Sequence, residues 1–354
     1  MPILDRYLGR IVVSGIFMVM LVLLALYTFV AFVGEMEKVG TGRYNLLGAV
    51  QYVLYTLPKR VYELFPITAL LGTLVGLGGL AAGSELTAIR AAGVSVARIG
   101  GSVMRVGAML MLVVAVIGEL VAPELEQYAI QERAIALGQQ AAMQGKSGFW
   151  ARDGDSFINI RRIHPGGRLT DVTLYQLNKD HQLTMETHAA MASYYDGSWQ
   201  LAGITRHTIT AKGMSIEKME QARWDSLLSP ALLEVVMVRP DALSVTGLYQ
   251  YLQYLHDNHL DASRYEQAFW AKLVDPFSTG VMVLFALPFL LGSLRSVSLS
   301  QRVVTGTLVG ITFHILNRAF HYIGQIYGLP PTFSTIFPTA AFFSASMFWL
   351  RKVH

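Results

Sequence analysis

The hydrophobic and polar positions fall into two regimes. Residues 11–33 run for 23 positions without a charge, and residues 64–84 for 21. Residues 106–122 carry one charge, Glu119. Beyond a long central insert, residues 276–294 and 303–317 carry none, and the latter run extends past Arg318 towards Gly328. Residues 329–350 carry none in 22. A helix of about 20 apolar residues crosses a hydrocarbon core of about 30 Å. The pattern therefore predicts six membrane-spanning helices, three on each side of the insert. The first run is too long for a cleavable leader and lacks the small-residue cleavage pattern that would follow one.

The insert is written differently. Residues 149–152, 156–163, 169–177 and 198–204 are short and rich in β-branched and aromatic positions. Asp153-Gly154-Asp155, His164-Pro165-Gly166-Gly167, Asn178-Lys179-Asp180 and Asp196-Gly197 separate them. This spacing of turn chemistry predicts an all-β unit, an antiparallel sandwich or open roll from about 145 to 235. Residues 242–264 read as a helix, with Leu248, Leu252 and Leu255 at helical spacing.

Composition agrees with a membrane protein. The 354 residues are 53% hydrophobic and 15% charged, against about 25% charged in soluble domains. This argues against an ordinary soluble enzyme and excludes a disordered chain. The net charge of +4 hides a split: residues 123–267 sum to −4 and the remainder to +8. With the N-terminus inside, the inner segments carry Arg6, Arg10, Arg90, Arg98, Arg105, Arg295, Arg302, Arg351 and Lys352, with Asp5 and Glu85 as their only acids. That is a positive-inside pattern, which predicts cytoplasmic termini and an external insert. The basic balance thus belongs to membrane loops, not to a nucleic-acid partner. There are no cysteines, so disulfides and thiolate metal sites are excluded.

Catalytic motifs fail on spacing. Gly145-Lys146-Ser147 resembles the end of a phosphate-binding loop, but position 140 is Gln where that motif needs glycine. Gly76-x-Gly78-x-x-Ala81 fits a loose dinucleotide fingerprint but lies inside an apolar span, not between a strand and a helix. Gly72, Gly76, Gly79 and Gly83 read instead as one smooth helix face. No His-Glu-x-x-His and no Gly-x-Ser-x-Gly occurs. The pairs His256/His259 and His314/His321 have no carboxylate ligand nearby in their runs, so no metal site is expected.

Three constellations carry information. The first is the stretch from Ser84 to Ser95 between spans two and three. Ser84 is a candidate helix cap, Glu85 suits the first turn, and Gly93 can end the helix. Leu86, Ile89 and Ala92-Gly93 form a short apolar stripe, with Arg90 on the polar side. Such a helix either lies on the lipid interface or plugs into a groove of a cytoplasmic partner. The second is the outer end of spans one and two, with Glu35, Glu37, Lys38, Arg43, Lys59 and Arg60, followed by Arg133 after span three. These cations either snorkel or bind anionic headgroups. The third is the set of ionisable groups in or near spans: Glu63, Glu119, Asp275, His314 and Arg318.

The order of several short segments resembles the lipopolysaccharide export permeases of the LptF/LptG family. The carriers are Leu4-Asp5-Arg6-Tyr7-Leu8-Gly9, Pro58-Lys59, Phe65-Pro66-Ile67-Thr68-Ala69-Leu70-Leu71-Gly72, Ser84-Glu85-Leu86 with Ala92-Gly93, and Gly118-Glu119 with Val121-Ala122-Pro123. Trp150-Ala151-Arg152-Asp153-Gly154, Pro240-Asp241-Ala242-Leu243-Ser244, Leu294-Arg295-Ser296-Val297 and Arg302-Val303-Val304-Thr305-Gly306 complete them.

The resemblance implies a mixed membrane protein, a six-helix transmembrane bundle with an inserted periplasmic β-jellyroll. Its parts are residues 1–135 with a coupling helix at about 84–97, a β domain at 140–240, and a connecting helix with three spans at 241–354. It implies a non-enzymatic subunit in the bacterial inner membrane, paired with an LptF-type paralogue and driven by an LptB-type ATPase dimer. ATP and magnesium would sit on that ATPase, and this chain would hold no cofactor. LptC and the periplasmic bridge LptA would receive the lipopolysaccharide. Ser84, Glu85, Leu86, Ile89, Arg90 and Gly93 match the family's coupling segment. Lys38, Lys59 and Arg133 match positions that contact lipid phosphates, and Phe65 lies on the implied apolar wall. Ala31 and Glu37 depart from the family, where further lysines can stand; Arg43 and Arg318 are candidates to compensate. Two readings from other classes stay open on the residues alone: a lipid-modifying enzyme at Glu119, His314 and His321, and a subunit that transmits force without moving lipid.

Overall fold

The computed structural model describes residues 3–138, 148–154, 156–164, 168–178, 182–210, 213–224, 226, 230, 233, 239–291 and 299–352. The Gly145-Lys146-Ser147 and Leu294-Arg295-Ser296-Val297 segments lie outside these residues, as does most of 225–238. The described chain divides into two compact units. One comprises residues 1–39, 45–130 and 263–354; the other comprises 40–44 and 131–262.

The first unit is helical. Helix α1 spans Ile3–Met36 and α2 spans Leu46–Ala82. The short α3 covers Glu85–Ala91. The third span runs through α4 (Val96–Val116), a π-turn (Ile117–Val121) and α5 (Ala122–Ala136). After the insert come α7 (Ser263–Leu291), α8 (Leu299–Tyr327) and α9 (Pro331–Arg351), with α6 belonging to the second unit. Six helices are long and apolar enough to cross a membrane, as the runs predict.

Packing distinguishes these spans sharply. In α7, 78% of the most apolar window is buried; in α1 the figure is 11% and in α8 17%. Met282, Val283, Ala286, Leu287 and Leu290 of α7 form the centre of the core with Leu8, Val12, Leu70, Leu74, Ile99 and Val103. Helix α1 is held on α2 by glycine contacts. A Cβ on Gly72 would stand 2.2 Å from the Ile16 Cα, and one on Gly15 would stand 2.3 Å from the Gly72 carbonyl. A Cβ on Gly76 would stand 2.7 Å from the Ile11 carbonyl oxygen. The four-glycine face thus resolves into two roles. Gly72 and Gly76 permit backbone contact, whereas Gly79 meets nothing within 4 Å and Gly83 ends the helix.

A buried polar layer surrounds the π-turn. Such a turn frees a carbonyl from regular helical bonding, and the Lys272 ammonium donates to the Gly118 oxygen at 2.9 Å. Gly118 is required there, because a Cβ would sit 2.3 Å from the Tyr62 ring. The Tyr62 hydroxyl donates to Asp275 at 3.3 Å.

In the second unit, β1 (Phe149–Asp153), β2 (Ser156–His164), β3 (Arg168–Leu177), β4 (Leu183–Tyr195), β5 (Ser198–Thr210) and β6 (Gly213–Trp224) form one antiparallel sheet in chain order. A sandwich needs a second sheet, and all six described strands join one. Ile158, Ile160, Val172, Ala189, Trp199, Leu201 and Ile204 are among the side chains it buries. Asp196-Gly197 makes the expected two-residue hairpin, with positive φ at both positions and Tyr195 paired to Ser198.

Helix α6 spans Val245–Asp257. The helix expected over 242–264 therefore breaks at 258–262, where Asn258 turns the chain and His259 takes a left-handed φ of 53°. Asn258 Oδ1 accepts from the Gly154 backbone at 3.0 Å, and the Tyr254 hydroxyl donates to the Arg152 carbonyl at 2.7 Å. These bonds lock α6 to the β1–β2 turn, and burial pushes the Tyr254 hydroxyl pKa above its ordinary value.

Candidate coupling segment and lipid-facing surfaces

The chain between spans two and three is built from small residues and two sharp turns. Gly83 caps α2, and Ser84 takes a left-handed φ of 61° with no side-chain cap. Ser84 is therefore a hinge residue, not the side-chain cap expected from its type. Helix α3 ends in a Schellman motif: Gly93, at φ 87°, donates to the Arg90 carbonyl and Val94 to the Ile89 carbonyl, at 3.0 and 3.3 Å. Ser95 then caps α4 by accepting from the Arg98 backbone at 3.2 Å.

Leu86 and Ile89 of the stripe point inward, whereas Ala92 and Gly93 are exposed. Leu86 is 4% exposed within the bundle core, and Ile89 and Val94 pack against that core. The apolar residues expected to plug a partner's groove therefore seat α3 on its own bundle. The outward surface is Gly83, Ser84, Glu85, Thr87, Ala88, Ala91, Ala92 and Gly93. It is low in relief and carries one carboxylate, Glu85, which accepts a 2.6 Å hydrogen bond from the Tyr7 hydroxyl.

The same end of the bundle holds a second link. Asp5 is almost fully buried, accepts from the Ser102 hydroxyl, and pairs with Arg105 at 2.6 Å. In the sequence Asp5 stands out as one of two inner acids and as part of the Leu4–Gly9 segment, without a partner. Tyr7 was visible only as part of the Leu4–Gly9 segment.

The cations at the opposite end of α1 and α2 are largely engaged. Lys59 forms a 2.5 Å ion pair with Glu126, both side chains about one-tenth exposed at 11% and 9%. Lys38 pairs with Glu35 at 2.8 Å but stays 41% exposed. Arg60 pairs with Glu63 at 3.2 Å and lies over the Tyr27 ring. Arg318 is exposed on α8. Arg43 and Arg133 belong to the second unit. Arg43 is exposed and donates from its backbone to the Ala136 carbonyl at 2.7 Å, and Arg133 is half-buried in α5. Phe65, expected on the apolar wall, is 7% exposed and part of the core. Glu126 is the functional neighbour that the sequence did not reveal; it lies 67 positions from Lys59, outside any local motif.

The least buried spans are α1 and α8, although α4 and α9 also display apolar side chains such as Met109, Leu112 and Phe348. Phe17, Met18, Val22, Leu26, Phe29 and Val30 of α1 are more than half exposed, as are Val304, Leu308 and Ile315 of α8. Patches of this size mark lipid or protein contact. Among the described residues, no three His, Cys, Asp or Glu side chains group as a metal site.

Six candidate membrane spans among the described residues and an inserted six-stranded β unit define a polytopic membrane protein. The sequence model described as lipopolysaccharide export system permease LptF/LptG matches residues 6–352. The chain is 37% identical over 349 residues to lipopolysaccharide export system permease protein LptG of Haemophilus influenzae, covering 98% of this chain and 97% of that protein. It is 37% identical over 353 residues to the protein of that name from Escherichia coli K12, covering 99% and 98%. The chain belongs to the LptF/LptG family of lipopolysaccharide export permeases.

Proposed function

We propose that the chain is the LptG-type half of an ATP-driven exporter that lifts lipopolysaccharide from the outer leaflet of the inner membrane. An LptF-type paralogue faces α1 and α8 across the lipid path. An LptB-type ATPase dimer docks on the outward face of α3, and LptC and the LptA bridge receive the lipid from the β unit. The basic residues at the α3 end support a cytoplasmic position for it, with both termini.

Acyl chains meet the displayed faces of α1 and α8 rather than Phe65. Removing them from a bilayer costs about 0.8 kcal/mol per CH₂, so extraction requires an external energy source. Headgroup phosphates are met by Lys38 and Arg318 in the helical unit, and separately Arg43 and Arg133 in the second unit are phosphate contacts. Lys59 adds positive field from within its ion pair with Glu126, because exchanging Glu126 for a phosphate would strand that buried carboxylate.

The observation that carries this reading is the wide exposed apolar face of α1 and of α8, whose most apolar stretches are only 11% and 17% buried, in a chain that matches a lipid-export family over nearly its full length. Photo-crosslinking tests it. In the assembled complex, probes at Phe17, Leu21 and Leu308 should capture lipopolysaccharide, and a probe at the equally exposed Leu112 of α4 should not. Equal capture at all four would reduce these faces to ordinary bilayer contact.

A further inference from the structure

The Leu4–Gly9 segment is more than an N-terminal tail. Each of its inward residues has a contact. Leu8 is fully buried, and a Cβ on Gly9 would meet Val106 of α4 at 3.3 Å. Asp5 is buried on Ser102 and Arg105 of α4. Tyr7 reaches across to Glu85 of α3 at 2.6 Å. The first two turns of α1 are therefore joined to both α3 and α4, although most of α1 beyond them displays its side chains outward.

We propose that Tyr7 is the positioning residue of the coupling site: its hydroxyl holds the Glu85 carboxylate and passes displacement of α3 directly into α1. This rests on the reading of α3 as the ATPase-docking segment. The chemistry suits the task. An O–H donated to a carboxylate at this distance is a short, charge-assisted bond with a defined direction. A carboxylate accepts at both oxygens, so a bond at Oε2 leaves Oε1 for a cation from outside. Helix α3 itself is only seven residues long and follows the Gly83-Ser84 turn, a compliant joint to α2. A push on Glu85 that travelled through that turn alone would be absorbed there. Through Tyr7 it enters α1 within two residues of the buried Asp5 anchor, so α1 and α4 move as one piece with α3. Because α1 also carries the largest displayed lipid-facing surface, this link joins the docking site to the lipid path in a single element.

Tyr7→Phe removes one oxygen and keeps the ring. The test uses the full exporter, copurified with its ATPase and paralogous permease and reconstituted with lipopolysaccharide. The expected result is normal ATPase content, with lipopolysaccharide released per ATP hydrolysed reduced about threefold to tenfold. Combining Tyr7→Phe with Glu85→Gln should give no further loss than Glu85→Gln alone, because both act through one bond. A lower yield of complex with an unchanged release ratio would make Tyr7 merely structural and overturn the proposal. So would losses that multiply in the double variant, or a neutral Tyr7→Phe beside an impaired Glu85→Gln. If both single variants transport normally, the docking reading of α3 falls and takes the role of Tyr7 with it.

Discussion

Glu126 and Glu85 sit in the same helical unit and are held in opposite ways. Glu126 is buried and takes the Lys59 ammonium at 2.5 Å. Glu85 is exposed and takes a phenol hydroxyl. A buried ion pair is closed: each charge exists to satisfy the other, and removing either strands its partner. An exposed carboxylate with one oxygen occupied is open, and a second protein can reach it without breaking the bundle. Burial therefore assigns Glu126 to holding the spans together and leaves Glu85 within reach of a second protein, as the proposed docking role requires.

The sharpest way to break this contrast is at Glu126. Glu126→Gln should destabilise the purified chain by about 3–5 kcal/mol, because Lys59 is left charged and buried. A paired change, Lys59→Met with Glu126→Met, should recover most of that loss in thermal unfolding in detergent. A mild effect of Glu126→Gln would mean that the pair is solvated and Lys59 freely available. The next effect is at the α1–α2 contact. Gly72→Ala forces backbone apart at Ile16 and should cost about 1–3 kcal/mol. Gly79→Ala, on the same run but open, should stay within about 0.5 kcal/mol. Equal losses at the two glycines would contradict the close approach of α1 to α2.

Much of this was legible in the sequence, and the failures share a cause. Six apolar runs, five of them charge-free and one with Glu119 alone, predict six spans because charge is costly in hydrocarbon at any position. The Asp196-Gly197 hairpin was legible because its turn needs positive φ at both residues. Which face of a span looks inward was not legible. Ile16 is 4% exposed and Phe17 64%, yet both are apolar, since lipid tails reward the outer face as the core rewards the inner one. Phe65 illustrates this: it is apolar like its neighbours and only 7% exposed in this chain. The inward stripe of α3 was legible as a stripe, but its partner was not: a short amphipathic helix can bury its apolar side on any surface, including its own bundle. Strands β4 and β6 lacked strand signatures. β4 carries Ala189, Ala190 and Ala192, which have low strand propensity, and β6 is an exposed edge strand with Glu217, Lys218 and Glu220. Cross-strand pairing supplied what their composition did not.

The family segments fared better because they encode contacts rather than periodicity. Leu4–Gly9 docks on α3 and α4, and Gly118-Glu119 opens the π-turn that Lys272 satisfies. What the segments could not reveal was the partner of each charge, which lies 78 positions away for Tyr7 and 67 for Lys59.

In the proposed exporter this permease subunit takes its drive from a partner ATPase through Glu85. The most direct measurement is lipopolysaccharide release, with ATP hydrolysis recorded in the same reaction, by the reconstituted exporter carrying Glu85→Ala. The account predicts an unchanged melting temperature for the isolated chain together with lost ATPase association or release uncoupled from hydrolysis. Normal release at a normal ATP ratio would contradict it.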